Sequence, residues 1–145
     1  MRLYLSDESE TQKLGKNLAA IAKPGDVLLL EGPLGAGKSC LSRAFIRTLM
    51  QDTHLAVPSP TFTLVQGYEA PDGLEVWHYD LWRLDGPDAL EELGWDEALT
   101  GIVLVEWPDR LGELIPTGAW RLRLSFHGAG RVIEITGDLR GFDAG

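Results

Sequence analysis

The segment Gly32-Pro33-Leu34-Gly35-Ala36-Gly37-Lys38-Ser39 matches the pattern G-x-x-x-x-G-K-[ST]. Its residue types suit the holding of phosphate. Phosphate oxygens are bound by consecutive backbone N–H groups wrapped into a concave nest. Gly35 and Gly37 permit the backbone angles such a nest needs and keep Cβ atoms clear of the anion. A helix beginning near Lys38 aims its partial positive N-terminus at the same place. In this reading Leu34, Gly35, Ala36 and Gly37 supply the loop, Lys38 reaches the β- and γ-phosphates, and the Ser39 hydroxyl takes a Mg²⁺ position.

A phosphate loop of this kind also needs a carboxylate for the metal, usually at the end of a neighbouring strand. Two stretches end in one: Ile102-Val103-Leu104-Val105-Glu106 and Val76-Trp77-His78-Tyr79-Asp80. Glu106 and Asp80 are therefore the candidate Mg²⁺ and catalytic acids, with a helix cap as the plainer role for Asp80. Thr61, in Pro58-Ser59-Pro60-Thr61-Phe62-Thr63, lies where switch loops sense a γ-phosphate through a hydroxyl, though alone the segment reads as a Pro-rich turn. Guanine-specific loops usually carry Asn-Lys-x-Asp. The single asparagine, Asn17, is followed by Leu18, so adenine, as ATP or ADP, is the expected base. Asp109-Arg110-Leu111-Gly112 fits D-x-x-G by letter but follows Trp107-Pro108 rather than a strand. The five tryptophans read as packing, with Trp107 set apart by its place beside Glu106. His78 and His127 read as isolated, Cys40 as a small packing residue, and no zinc site is expected.

The elements that must carry these groups are short and punctuated by Gly and Pro. Leu3–Leu5 reads as a first strand. Asp7 with Glu10 resembles a capping box, and Leu14, Leu18 and Ile21 form a helical stripe behind it. Val27–Glu31 is a continuous apolar run, as expected of a strand buried on both faces. A helix is predicted from Lys38 to about Met50. Phe62–Tyr68 and Leu74–Asp80 read as a hairpin around Pro71-Asp72-Gly73, and 87–93 as a short helix opened by Pro87 and closed by Gly94. Ile102–Val105 is a second buried strand. Arg121–Phe126 and Arg131–Ile135 flank Gly128-Ala129-Gly130 as a second hairpin. Strands this close in sequence must pair antiparallel, so the expected class is α/β with a mixed sheet.

The 145 residues are expected to form a single domain, 1–145, with one core and no disulfide, since there is one cysteine. No apolar run approaches a membrane span, and Met1–Glu8 lacks the apolar stretch of a signal peptide. The expected compartment is the cytoplasm. Twenty-two acidic residues against thirteen basic ones leave a net charge of −9, which disfavours electrostatic binding to a nucleic-acid backbone. Between Asp80 and Glu97 seven acids face one base, Arg83. That run reads either as a solvated face or as a docking surface for a basic partner.

Five motifs taken in order are more specific than the loop alone: Leu30–Ser39, Ser59-Pro60-Thr61-Phe62-Thr63-Leu64-Val65, His78-Tyr79-Asp80-Leu81-Trp82-Arg83-Leu84, Glu91-Glu92-Leu93-Gly94 and Val105-Glu106-Trp107-Pro108. Together they resemble the bacterial TsaE family, small ATPases of tRNA threonylcarbamoyladenosine biosynthesis, over nearly the whole chain. The resemblance implies a P-loop NTPase-like three-layer sandwich with a mixed, mainly parallel sheet plus antiparallel hairpins. It implies weak, Mg²⁺-dependent ATP hydrolysis that a partner stimulates. The implied partners are TsaD and TsaB, with tRNA engaged only indirectly. By position, Leu34–Ser39 bind phosphates, Ser39 and Glu106 serve Mg²⁺, and Asp80 sits at the metal or attacking water. Thr61 belongs to the switch-like loop and Trp107 supports the site. Glu8 or Thr11, and Arg131, lie near the nucleoside. Cys40 departs from the family, which commonly has a hydroxyl residue there. The alternative is a small-molecule kinase on the same loop. No Arg-rich lid is visible to favour it, since Arg43 and Arg47 lie on the predicted loop helix.

Overall fold

The computed structural model of the protein describes residues 1–140 and 142. Seven strands form one sheet: β1 (Arg2–Leu5), β2 (Val27–Glu31), β3 (Val65–Glu69), β4 (Glu75–Asp80), β5 (Ile102–Glu106), β6 (Trp120–His127) and β7 (Gly130–Thr136). Their order is β1-β7-β6-β2-β5-β4-β3. The central strands β6, β2, β5 and β4 run parallel to one another. The pairs β1–β7, β6–β7 and β3–β4 are antiparallel. The sheet is thus a parallel block extended by hairpin-type pairings at both edges.

The uninterrupted apolar runs of β2 and β5 are explained by cover on both faces. Leu28, Leu30, Ile102 and Leu104 point to one side, where α1 (Glu8–Ile21) and α2 (Lys38–Met50) lay down Leu14, Leu18, Leu41, Phe45 and Ile46. Val27, Leu29, Val103 and Val105 point to the other. There Leu81, Leu90, Trp95 and Leu111 close the core from short turns. Two long helices, the sheet and a layer of short turns make the three layers. None of the described helices is long and apolar enough to cross a membrane.

Helix α1 starts as the capping pattern predicts. The Asp7 carboxylate accepts a 3.1 Å bond from the Glu10 amide, and the Ser9 hydroxyl donates to the same oxygen at 2.6 Å. These bonds hold the Asp7 carboxyl below the usual carboxylate range. Helix α2 spans the predicted residues. Its crossing with α1 is made at Gly15, where an added Cβ would sit 2.9 Å from both Ala44 Cβ and the Leu41 carbonyl oxygen.

Two predicted elements differ. The strand read from Phe62 begins at Val65. Pro60–Leu64 instead form a turn closed by the Leu64 amide on the Pro60 carbonyl at 2.7 Å, with Leu64 at a φ of 69°. The helix read over 87–93 is two 3-10 turns, Pro87–Ala89 and Glu91–Leu93, hinged on fully buried Leu90. A one-turn helix, α3 (Trp95–Ala98), follows that the sequence did not announce. Gly94, at a φ of 75°, ends one turn and begins the next. In the acid-rich run only Asp80 is buried, while Asp85, Asp88, Glu91, Glu92, Asp96 and Glu97 are exposed.

Replacing Gly15 with Ala tests the helix crossing. Overpacking costs about 1–3 kcal/mol, against which the helix propensity of Ala returns up to about 1 kcal/mol. Chemical denaturation should therefore show Gly15→Ala destabilised by about 1 kcal/mol. A variant as stable as the parent contradicts the close α1–α2 approach.

Candidate functional site

The loop leaves β2 at Glu31 and enters α2 at Lys38. Two of its glycines are dictated by geometry. A Cβ on Gly32 would lie 2.5 Å from the Leu124 carbonyl oxygen, and Gly37 caps α2 at a φ of 109°. The Ala36 amide donates to the Pro33 carbonyl at 3.2 Å, and Leu41 N donates to Gly37 O at 2.9 Å, the first turn of the helix. Ala36 is fully buried while Leu34 stands at the apex, 85% exposed. Ser39 is exposed on the first turn of α2.

Lys38 is buried, at 6% exposure. Its ammonium lies 4.4 Å from the centre of the Trp107 ring, a cation–π contact. Among the described residues no carboxylate lies within 4 Å of it. Trp107 reaches this position from a left-handed backbone, φ 59°, directly after β5. Trp82 packs on its ring at 4.4 Å. Lys38, Trp107, Glu31, Gly32 and Asp109 line a cavity of about 350 Å³.

Sheet register brings the two strand-end acids together. Asp80 of β4 pairs with Glu106 of β5, and Glu106 with Leu30 of β2. Alternation along a strand puts Leu30, Asp80 and Glu106 on the α2 side of the sheet with Lys38. Both acids are 5% exposed. The Asp80 carboxylate accepts the Trp82 amide at 3.1 Å and the Thr61 hydroxyl at 3.1 Å. Thr61 in turn shares a 2.7 Å bond with Ser59. The sequence-predicted residues Thr61, Asp80 and Glu106 are therefore neighbours, with Lys38 on the same side of the sheet.

His78 corrects the reading of an isolated histidine. Its Nε2 lies 2.8 Å from Glu106 Oε2, and both groups are buried. The other ring nitrogen, Nδ1, is buried without a partner. Nε2 is the nitrogen that donates to the Glu106 carboxylate. The signal was present in the spacing. His78 and Asp80 are two apart on one strand, so they share a face. Glu31 also went unremarked. Arg121 and Arg123 from β6 both grip it, the latter at 3.0 Å.

Glu8, Thr11 and Arg131 form a separate group on the other side of the loop. With Gly35, Gly37 and Cys40 they line a second cavity, of about 230 Å³. Thr11 is buried and Glu8 exposed. The Cys40 thiol donates to the Glu8 carbonyl at 3.8 Å.

A buried lysine behind a glycine-rich strand-to-helix turn, on a mixed sheet with a parallel centre covered on both faces, defines a P-loop α/β domain. The family model of threonylcarbamoyl adenosine biosynthesis protein TsaE matches residues 5–133, and the chain belongs to the TsaE family. Proteins named tRNA threonylcarbamoyladenosine biosynthesis protein TsaE are 43% identical over 112 residues in Rickettsia conorii and 44% identical over 110 residues in Bacillus subtilis. These matches cover 77% and 74% of this chain. They span 63% and 66% of those relatives' own lengths, just under two thirds. The crystal structure of Bacillus subtilis YdiB superposes with a TM-score of 0.76 at 32% identity, covering 94% of this chain and 84% of that one.

Cys40 gives a prediction of its own. Burial first, and Glu8 second, push its thiol up to about 11. A raised value keeps the thiol protonated at neutral pH. Alkylation by iodoacetamide at pH 8 should be slower than for a free thiol by on the order of a hundredfold, rising with pH up to about 11. Alkylation at the rate of glutathione contradicts this placement.

Proposed function

We propose that the chain binds ATP with Mg²⁺ on the Gly32–Ser39 loop and hydrolyses it weakly, in support of threonylcarbamoyladenosine modification of tRNA in the cytoplasm. The observation that carries this reading is Lys38. A buried ammonium is rarely left without an anion, and this one sits where the loop amides and the start of α2 favour a phosphate. The donor set also suits Mg²⁺, a hard cation that takes oxygen ligands. Ser39 offers a hydroxyl, and Asp80 and Glu106 offer carboxylates. Both acids are buried with no lysine or arginine within 4 Å among the described residues, a state that a nearby cation would relieve. Mg²⁺ held by these groups would neutralise charge that develops on the phosphoryl group.

The chain's own groups then divide the work. Lys38 meets the β- and γ-phosphates. His78 orients Glu106 through their 2.8 Å contact. Asp80, held by Thr61 and the Trp82 amide, positions the attacking water. Thr61 links that carboxylate to the switch-like loop.

The partner in this reading is the TsaD/TsaB complex, with tRNA engaged only through it. Two features support action on a protein. The net charge of −9 disfavours a direct grip on RNA. Apolar side chains also stand out in the loops that carry the site: Leu34 at 85%, Phe62 at 82% and Trp82 at 51% exposure. The names of the relatives support the pathway.

The two carboxylates separate hydrolysis from binding. Glu106→Ala and Asp80→Ala should each lower ATP turnover by about tenfold to a thousandfold. ATP affinity should change less, because the loop amides and Lys38 are retained. Turnover, nucleotide titration and modified tRNA formed with TsaD and TsaB are the readouts. Variants that hydrolyse ATP and support modification like the parent would reduce both acids to structural caps.

A further inference from the structure

Arg131, expected beside the nucleoside, makes its hydrogen bonds to main-chain carbonyls. Its Nε and Nη2 both donate to the Gly35 carbonyl, at 3.3 and 3.1 Å. Nη1 donates to Gly130 O at 2.9 Å and Ala129 O at 3.4 Å. The guanidinium plane lies over the Phe126 ring, 4.6 Å from its centre. The fork is thus turned onto main-chain carbonyls, and one of its faces is covered.

The base of this fork is rigid. Arg131 pairs with Leu5 of β1 on one side and Phe126 of β6 on the other. The preceding Gly130 packs so closely on β1 that a Cβ would meet the Leu5 carbonyl oxygen and Tyr4 Oη at 2.7 Å each. Gly35, by contrast, sits in an exposed loop at a φ of 81°. The 35–36 peptide is held at one end by the Ala36 amide on the Pro33 carbonyl, at 3.2 Å, and Arg131 supplies the hold at its carbonyl end. A peptide plane has one orientation, so fixing the Gly35 C=O also fixes the Ala36 N–H of the same peptide.

We infer that Arg131 is a positioning residue for the phosphate loop, acting through the Gly35 carbonyl rather than through the base. It ties the β6–β7 hairpin to the loop and turns the 35–36 peptide so that its carbonyl faces away from an incoming anion. A guanidinium does this better than an ammonium, because two donors converge on one acceptor in a fixed plane. The inference rests on the nucleotide reading above and narrows it. Arg131 governs how well any polyphosphate is held and does not discriminate adenine.

Tripolyphosphate separates the two roles, because it carries the phosphates without a nucleoside. Titration calorimetry is run with Mg²⁺-ATP and with Mg²⁺-tripolyphosphate on the parent, Arg131→Ala and Arg131→Lys. Both ligands should weaken by the same factor in Arg131→Ala, at least about tenfold for losing a charge-assisted pair of bonds. Arg131→Lys should lie between. Amide exchange across residues 33–37 of the ligand-free protein should quicken in both variants, a readout that needs no ligand. The inference is overturned if ATP weakens while tripolyphosphate does not, which places Arg131 on the nucleoside. It is also overturned if neither affinity nor exchange moves. A parent protein that binds neither ligand removes the nucleotide reading itself, and this inference with it.

Discussion

A single buried ammonium organises this molecule. Lys38 is withdrawn from water and held against the face of Trp107, with no carboxylate within 4 Å among the described residues. Cation–π attraction is worth about 0.5–2 kcal/mol, whereas desolvating a charge costs several kcal/mol. The aromatic contact alone leaves the lysine short. In the proposed reading a phosphate at the start of α2 makes up the difference.

The remainder of the fold serves that arrangement. The parallel register of β2, β5 and β4 delivers Leu30, Glu106 and Asp80 side by side. Continuous apolar strands let both faces be covered, which keeps the carboxylates dry. Trp107 takes a left-handed backbone to turn its ring under the lysine, an unfavourable conformation for a bulky residue. Strain of that sort is tolerated where surrounding contacts fix it, here those of Trp82 and Lys38 with the ring.

Much of this was legible in the residues, for reasons that are local. The loop pattern, the Asp7 cap and the apolar runs of β2 and β5 each carry their own signal. The strand-end acids were legible as acids, and only the register shows that they are neighbours. What the sequence hid was nonlocal or cooperative. His78 looked isolated because Glu106 is 28 positions away. Phe62 has strand propensity, yet Thr61 bonds Asp80 and the chain turns there instead. The 87–93 segment carries helix caps, but buried Leu90 breaks it into 3-10 turns. Arg131 was legible as a charge, but its bonds to the Gly35 carbonyl, 96 positions away, were not.

Thermal unfolding of Lys38→Met with and without Mg²⁺-ATP tests the central claim most directly. Methionine keeps the side chain's length and apolar stem while removing the charge. If Lys38 is a desolvated cation held in reserve for phosphate, the ligand-free variant should unfold at or above the parent's temperature. Mg²⁺-ATP, which should raise the parent's midpoint by mass action, should leave the variant's where it is. A ligand-free variant that unfolds well below the parent, together with an undiminished shift on adding nucleotide, would show that Lys38 is a structural residue and contradict the account.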